Sequence, residues 1–177
     1  MPSPPPPGAR APTGAKPLNV VVVDDEPRWR ALAAEPFIRR GDRVRECVDG
    51  LQALATCIQD PPDVILSDVQ MPRMDGWQFL RTLRGNPAVA SVPVVFLTSL
   101  DGDAERLRGY QLGVDAYLPK PFQPDELLLR VHRLVRRARG AEPHPDDKPS
   151  LRGDIEHVSV GSLLSFLSIE KKTGGLL

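Results

Sequence analysis

The sequence has only two cysteines, few aromatic residues and no excess of charge of either sign. Cys47 and Cys57 form no CxxC motif and have no histidine cluster nearby, so we expect buried free thiols. Lys plus Arg and Asp plus Glu count 23 each, which gives no overall attraction to nucleic acid or anionic membranes. The apolar run from Val20 to Val23 is far too short to span a bilayer, and no signal-peptide pattern is present. We therefore expect a soluble, cytoplasmic protein without a membrane segment.

Proline is abundant, with 20 residues, and its uneven distribution predicts the domain boundaries. Residues 1–17 hold seven prolines among small residues and cannot bury a core, so a disordered leader is expected. Residues 140–150 form a second polar, proline-rich run that is typical of a linker. One domain is expected between them, over residues 18–139. The 27 residues after the linker are too few for an independent core.

Strand and helix patterns alternate five times across residues 18–139. The predicted strands cover residues 18–23, 43–48, 64–66, 92–97 and 116–118. The predicted helices run from about 27 to 40, from 50 to the prolines at 61 and 62, and over 76–84, 103–112 and 124–139. Pro36 lies inside the first helix and should kink or shorten it. The alternation specifies an α/β doubly wound fold, with a parallel sheet, helices on both faces and right-handed crossovers.

Polar residues stand where four of these strands end. Asp24 and Asp25 follow the first strand, Asp68 the third, Thr98 the fourth and Lys120 the fifth. Each alone could cap a helix, end a strand or form a turn. Because the carboxyl ends of parallel strands share one edge, where open α/β folds bind ligands, we expect these side chains to lie together.

A cluster of carboxylates at this edge requires a cation. Three carboxylates within several ångströms repel by roughly 4 kcal/mol per close pair at an effective dielectric of about 20. All-oxygen ligands favour a hard ion, and a site with few carboxylates plus water suits Mg²⁺. A metal ion beside a free carboxylate, a hydroxyl and a lysine forms a set of groups suited to phosphoryl transfer.

The motifs at these strand ends resemble those of the receiver domain of bacterial two-component response regulators. They are Val22–Glu26, Asp68–Gly76, Thr98-Ser99 and Tyr117–Phe122, and they occur in order and at fitting spacing. The resemblance covers residues 18–139 and implies a flavodoxin-like sheet of five strands in the order 2-1-3-4-5.

The resemblance also implies the chemistry of the site. Asp68 would be the phosphoacceptor, taking its phosphoryl group from a sensor histidine kinase or phosphotransfer protein, so that the domain is not a turnover enzyme. Mg²⁺, for which Mn²⁺ can substitute, would be held by Asp24, Asp25, Asp68 and the backbone carbonyl of Gln70.

A phosphate-binding and switch group follows from the same resemblance: Thr98, Ser99, Lys120 and Tyr117. Thr98 would bond a phosphoryl oxygen, Lys120 would pair with the phosphate, and the bond before Pro121 would be cis. Tyr117 would swing into the space that Thr98 vacates, unless it is simply a half-buried strand tyrosine. The switch would act on a face formed by the fourth helix, fifth strand and fifth helix, which signals to a downstream protein partner.

This same face could also form a homodimer. Charged residues stand at positions that match the family's dimer contacts: Arg106, Asp115, Glu126, Arg130 and Arg137. Ala116, however, occupies the position of a family aspartate that would pair with Arg130. A solvated charged face is an equal alternative.

Residues 151–177 contain no helix-turn-helix pattern, so no DNA-binding domain is expected. A strand pattern, a helix from about Val160 to Ile169 and a Lys-Thr-Gly turn resemble the opening of a PATAN-type accessory domain, which would be truncated here.

Two other functional classes are open at this point. A pseudo-receiver would use the same face as an interaction module without phosphate. A hydrolase of the related aspartyl-phosphate kind would need a cap or substrate pocket that this short chain lacks.

Overall fold

The computed structural model of the protein describes residues 16–99 and 102–140. Strands and helices alternate along the chain as the periodicity predicts. The strands are β1 (Asn19–Val23), β2 (Arg43–Cys47), β3 (Val64–Ser67), β4 (Val94–Thr98) and β5 (Ala116–Pro119). The helices are α1 (Pro27–Arg40), α2 (Gly50–Gln59), α3 (Gly76–Arg84), α4 (Asp103–Gln111) and α5 (Pro124–Ala138).

The five strands form one parallel sheet in the order β2-β1-β3-β4-β5, which confirms the predicted fold. Side chains alternate between the two faces of β1, so Val20 and Val22 join one apolar cluster and Val21 and Val23 join the other. The first cluster lies beneath α1 and α5, and the second beneath α2 and α3, with Leu112 at the end of α4 packed against it. Burial on both faces explains why the central strands are apolar throughout.

The observed element bounds follow the prediction closely, with differences at proline. The prediction starts β4 at Val92, whereas the strand begins at Val94, because Pro93 has no N–H to donate to the sheet. Pro36 does not shorten α1, which continues to Arg40 and ends at Gly41 in the left-handed conformation, with φ of 88°. Pro36 itself is buried, so packing offsets the backbone hydrogen bond that proline removes.

The domain layout outside the central fold stays a prediction. The structure does not describe residues 1–15 of the leader or residues 141–150 of the linker. The PATAN-like segment 151–177 also lies outside the described residues. Within the described ranges, no helix combines the length and apolar character needed to cross a membrane.

Asp63, just before β3, connects the amino edge of the sheet to the end of α5. Its Oδ2 accepts a hydrogen bond from the Asn19 N–H at 2.8 Å, and its Oδ1 pairs with Arg139 Nη2 at 2.7 Å. Burial raises the pKa of the Asp63 carboxyl, but the bonds from Asn19 and Arg139 outweigh it and lower the pKa overall. Ionised Asp63 therefore stabilises the folded state.

Asp63→Asn should lower the free energy of unfolding by about 1 kcal/mol at pH 7, because it removes a charge-assisted contact. A lowered folded pKa contributes stability above the unfolded pKa of about 3.9 and loses it as pH falls through the folded value. The difference in the free energy of unfolding between variant and wild type, measured by urea unfolding, should thus shrink as pH falls below about 3.9. Glu35→Gln, at an exposed position, serves as the control and should stay unchanged. A pH-independent difference would contradict the prediction.

Candidate metal centre at the carboxyl edge of the sheet

The strand order places the ends of β1 and β3 side by side, at the point where the direction of chain winding reverses. Asp24 directly follows β1 and Asp68 directly follows β3. The backbone N–H of Asp68 donates to the carbonyl of Val23 at 2.8 Å, so pairing of the two strands extends to the aspartate itself. Ligands of open α/β sheets bind at this kind of switch point.

Three carboxylates meet at this edge. One oxygen each from Asp24, Asp25 and Asp68 lies within 4.8 Å of the others. Asp24 and Asp68 are buried, the latter 8% exposed, whereas Asp25 faces solvent. Oxygen ligands at this spacing fit a hard divalent cation that keeps some of its water. The acidic cluster could therefore bind a metal ion, as the sequence predicts.

Lys120 supplies the positive charge next to the acidic cluster. Its Nζ lies 2.6 Å from Asp24 Oδ2 and 3.3 Å from Asp68 Oδ2, and its side chain is only 4% exposed. The Lys120 N–H donates to the carbonyl of Thr98 at 2.9 Å, and the Lys120–Pro121 bond is cis. The end of β5 thus delivers the lysine across β4 and β3 to the carboxylates at the end of β1.

Burial has a chemical consequence for Asp68. Burial, and to a lesser degree the neighbouring Asp24, raises the pKa of the Asp68 carboxyl against the lowering effect of Lys120. The Val69 N–H, which donates to Asp68 Oδ1 at 2.7 Å, also favours the ionised form but does not reverse the shift. Burial therefore makes the ionised form of Asp68 costly in the site without a metal ion.

The predicted phosphate-binding and switch residues occupy the neighbouring strand ends. Thr98 is fully buried at the end of β4, and Ser99 after it is exposed. Tyr117 is buried, with its ring edge-on to Phe96 at a centroid distance of 5.7 Å. Gln70 is exposed in the loop after Asp68. An open cavity of about 650 Å³, lined by residues that include Asp25 and Gln70, lies beside the acidic cluster.

The loop between β3 and α3 is attached to the start of α2. Arg73, at φ of 66°, forms an ion pair with the buried Asp49, and the Gly50 N–H donates to the carbonyl of Met74 at 3.3 Å. Asp49 also caps α2 by accepting from the Gln52 N–H at 2.9 Å. Sequence reasoning misses the pairing of Asp49 with Arg73, because nothing local brings the two together.

Gly76 allows the same loop to pass close to Asp68. A Cβ added at Gly76 would lie 2.5 Å from the Asp68 carbonyl oxygen and 2.8 Å from Val69 Cα, both of them backbone atoms that cannot rotate away. Gly76→Ala should therefore destabilise the fold by about 2–3 kcal/mol in urea unfolding. It should also weaken binding of a divalent cation at the acidic cluster roughly tenfold by displacing the backbone next to Asp68, as titration calorimetry would show.

Gly85→Ala is the matched control for this substitution. Its added Cβ would meet carbonyl oxygens at an ordinary 3.5 and 3.6 Å, so we expect a change within about 0.5 kcal/mol. Equal effects of the two alanine substitutions would contradict the argument from close approach.

Three of the residues predicted for a dimer face make contacts within the chain. Asp115 accepts from Arg84 Nη2 at 2.9 Å and from the Val94 N–H at 2.8 Å, a bridge that sequence reasoning misses. Glu126 and Arg130 pair one turn apart on α5, with Oε1 and Nη2 at 3.0 Å. Arg106 and Arg137 lie on α4 and α5. The dimer face itself stays a prediction.

The fold and the acidic cluster together define a receiver-type α/β domain. The family model of the response regulator receiver domain matches residues 20–132, and the chain belongs to this family. The fold prediction and the resemblance are thereby confirmed.

Three known proteins illustrate the similarity. The response regulator Rre1 of Synechocystis is 36% identical over 139 residues, covering 78% of this chain and 60% of Rre1. The Synechocystis DNA-binding dual master transcriptional regulator RpaA is 35% identical over 119 residues, covering 67% of this chain and 49% of RpaA. The solved structure of the chemotaxis response regulator CheY4 of Vibrio cholerae is 31% identical, with a TM-score of 0.64, covering 67% of this chain and 99% of CheY4.

This chain therefore spans about half to three fifths of the length of these two curated relatives. RpaA is a DNA-binding protein by name, so the expectation that this protein lacks a DNA-binding domain stays a prediction.

Proposed function

We propose that Asp68 is the phosphoacceptor of this receiver domain and that Mg²⁺ is its cofactor. The observation that carries the proposal is the position of Asp68, which is buried at the sheet edge beside two further carboxylates and 3.3 Å from the Lys120 ammonium. The carboxylates of Asp24, Asp25 and Asp68 and the Gln70 carbonyl would hold Mg²⁺, with Mn²⁺ as a substitute. The metal ion would supply charge neutralisation for the transferring phosphoryl group.

In the proposed reaction, one carboxylate oxygen of Asp68 attacks the phosphorus of a phosphohistidine on a partner kinase or phosphotransfer protein. The new O–P bond forms as the P–N bond breaks, and the leaving electron pair returns to the histidine nitrogen. Lys120 stabilises the charge on the phosphoryl oxygens, and the Thr98 hydroxyl donates to one of them. The open cavity beside the acidic cluster leaves room for the donor to approach.

The product carries about −1.5 to −2 charge where an aspartate stood, and this change would drive the signal. Thr98 moves toward the new oxygens, and Tyr117 on β5 follows into the vacated space. The proposed output is a change in the α4-β5-α5 face that a downstream protein reads. A homodimer through Arg106, Asp115, Glu126, Arg130 and Arg137 is a second form of output, which sedimentation with and without beryllofluoride would detect.

A cytoplasmic location belongs to the same proposal. Cys47 and Cys57 are both free and buried, as expected for thiols in a reducing compartment. Phosphorylation and its reversal on Asp68 would make the protein a signal carrier rather than an enzyme that turns over a substrate.

Incubation with Mg²⁺ and acetyl phosphate tests the proposal directly. Intact-mass spectrometry should show one added phosphoryl group, and chelation of the metal by EDTA should prevent it. The presence of all three carboxylates and the lysine argues against a pseudo-receiver. A wild-type protein that gains no phosphoryl group would nevertheless favour that alternative. Continuous turnover of a small phosphate ester would instead support the hydrolase.

A further inference from the structure

Trp29, in the first turn of α1, lies against the lysine of the site. Its half-buried ring has the Lys120 Nζ over its face at 5.2 Å from the centroid. The other contacts of this ammonium are Asp24 Oδ2 at 2.6 Å and Asp68 Oδ2 at 3.3 Å. The indole ring thus contributes to the near-complete burial of a charged group, whose side chain is 4% exposed.

The shortest of these contacts is one that a metal ion would disturb. Asp24 belongs to the acidic cluster, so a cation bound there competes with Lys120 for the same carboxylate. If the Lys120 ammonium loses part of its contact with Asp24, a second group must attract it for it to stay near Asp68. An indole face attracts a cation through its π electrons and offers no oxygen to a hard metal ion.

We infer that Trp29 is a positioning residue that holds the Lys120 ammonium next to Asp68 when the metal site is filled. The inference rests on the proposed function, since it assigns Trp29 to the phosphoryl contact that Lys120 makes. Trp29 would act on the phosphoryl contact through the lysine.

A simpler role for Trp29 would be apolar packing. Its ring lies 5.8 Å from that of Phe122, and it borders the cluster beneath α1 and α5. Trp29→Leu retains apolar bulk but removes the aromatic face, whereas Trp29→Phe retains a weaker face. The two variants therefore separate packing from attraction of cations. Arg28 also lies over the ring, at 5.2 Å from the centroid, so a double-mutant cycle with Lys120 is needed to isolate the contribution of the lysine.

Binding of beryllofluoride in the presence of Mg²⁺ measures the phosphoryl contact. Trp29→Leu should weaken it by about two- to thirty-fold, the range expected from loss of a partly buried cation–π contact, and Trp29→Phe should weaken it less. Leu134→Ala is the control, because Leu134 borders the same apolar cluster near the far end of α5 and should leave binding unchanged. The inference would be overturned if Trp29→Leu bound beryllofluoride with the same affinity as the wild type.

A double-mutant cycle in the metal-free protein tests the contact without any phosphoryl chemistry. Trp29→Leu should raise the equilibrium constant for unfolding, measured in urea, in the wild-type background. The factor of this increase should be several-fold smaller in a Lys120→Met background. Equal shifts in both backgrounds would reduce Trp29 to packing and overturn the inference. A wild type that binds no beryllofluoride while the cycle shows coupling would disprove the phosphoacceptor role and leave the Trp29–Lys120 contact established.

Discussion

Asp68→Asn should abolish phosphoryl incorporation from acetyl phosphate and, at the same time, make the metal-free protein more stable at neutral pH. The first effect follows because an amide is not the nucleophile that the reaction needs. The second follows from the raised pKa of the Asp68 carboxyl, which burial causes and Asp24 reinforces. An amide oxygen can still accept from the Val69 N–H, so the substitution removes charge without leaving that donor unpaired.

The sign of the stability effect depends on pH and on the metal ion. A carboxyl whose folded pKa is raised contributes most stability below its unfolded pKa of about 3.9, and this contribution is lost as pH rises through the folded value. Urea unfolding in EDTA should therefore show the advantage of Asp68→Asn at pH 7 shrinking as pH approaches 4. Addition of Mg²⁺ should reduce the stability advantage of Asp68→Asn, because Mg²⁺ binding stabilises the folded wild type and the variant largely lacks this binding.

Asp125→Asn provides a comparison at an exposed carboxylate in the first turn of α5. It should accept a phosphoryl group as the wild type does and change stability by no more than about 0.5 kcal/mol. An Asp68→Asn protein less stable than wild type in EDTA at pH 7 would contradict the prediction, because it would show that the attraction of Lys120 outweighs burial.

Lys120→Met should have the opposite effect on stability. It leaves the buried carboxylates of Asp24 and Asp68 without their ammonium partner, and breaking a buried charge pair from one side costs about 3 kcal/mol. Mg²⁺ should restore much of this loss, since it can neutralise the same carboxylates. Beryllofluoride binding should weaken roughly 10- to 100-fold, the equivalent of one charge-assisted hydrogen bond.

Urea unfolding in EDTA and in excess Mg²⁺ measures the stability effect of Lys120→Met. Arg39→Met, at an exposed arginine in a long surface pair of 3.8 Å, is the control and should change stability little in either buffer. A Lys120→Met protein whose stability does not respond to Mg²⁺ would mean that the acidic cluster is not a metal site.

The meeting of the acidic residues and the lysine at one edge was predictable because these residues directly follow apolar strands. Asp24, Asp68 and Lys120 each stand at a strand end, and parallel strands place their carboxyl ends at one edge. The cis bond before Pro121 and the strand order followed from the family resemblance and agree with the structure. Pro36 shows the limit of local rules, because a proline expected to kink or shorten α1 lies buried within a helix that continues to Arg40.

Contacts between distant segments were not predictable in the same way. Trp29 reads in the sequence as one apolar residue near a helix start, yet it lies on a lysine 91 positions later. Arg73 and Arg84 read as surface charges, yet they bind Asp49 and Asp115. No spacing rule within one element relates residues that meet only through the packing of different elements.

The sequence by itself determined the alternation of strands and helices and the types of group at the edge of the sheet, because periodicity and turn residues act over a few positions. Only the tertiary structure decided which lysine contact is shortest, how deeply Asp68 is buried and which ring covers Lys120. These quantities depend on distances between separate elements and on exclusion of water, and both arise only when the whole sheet and its helices pack together.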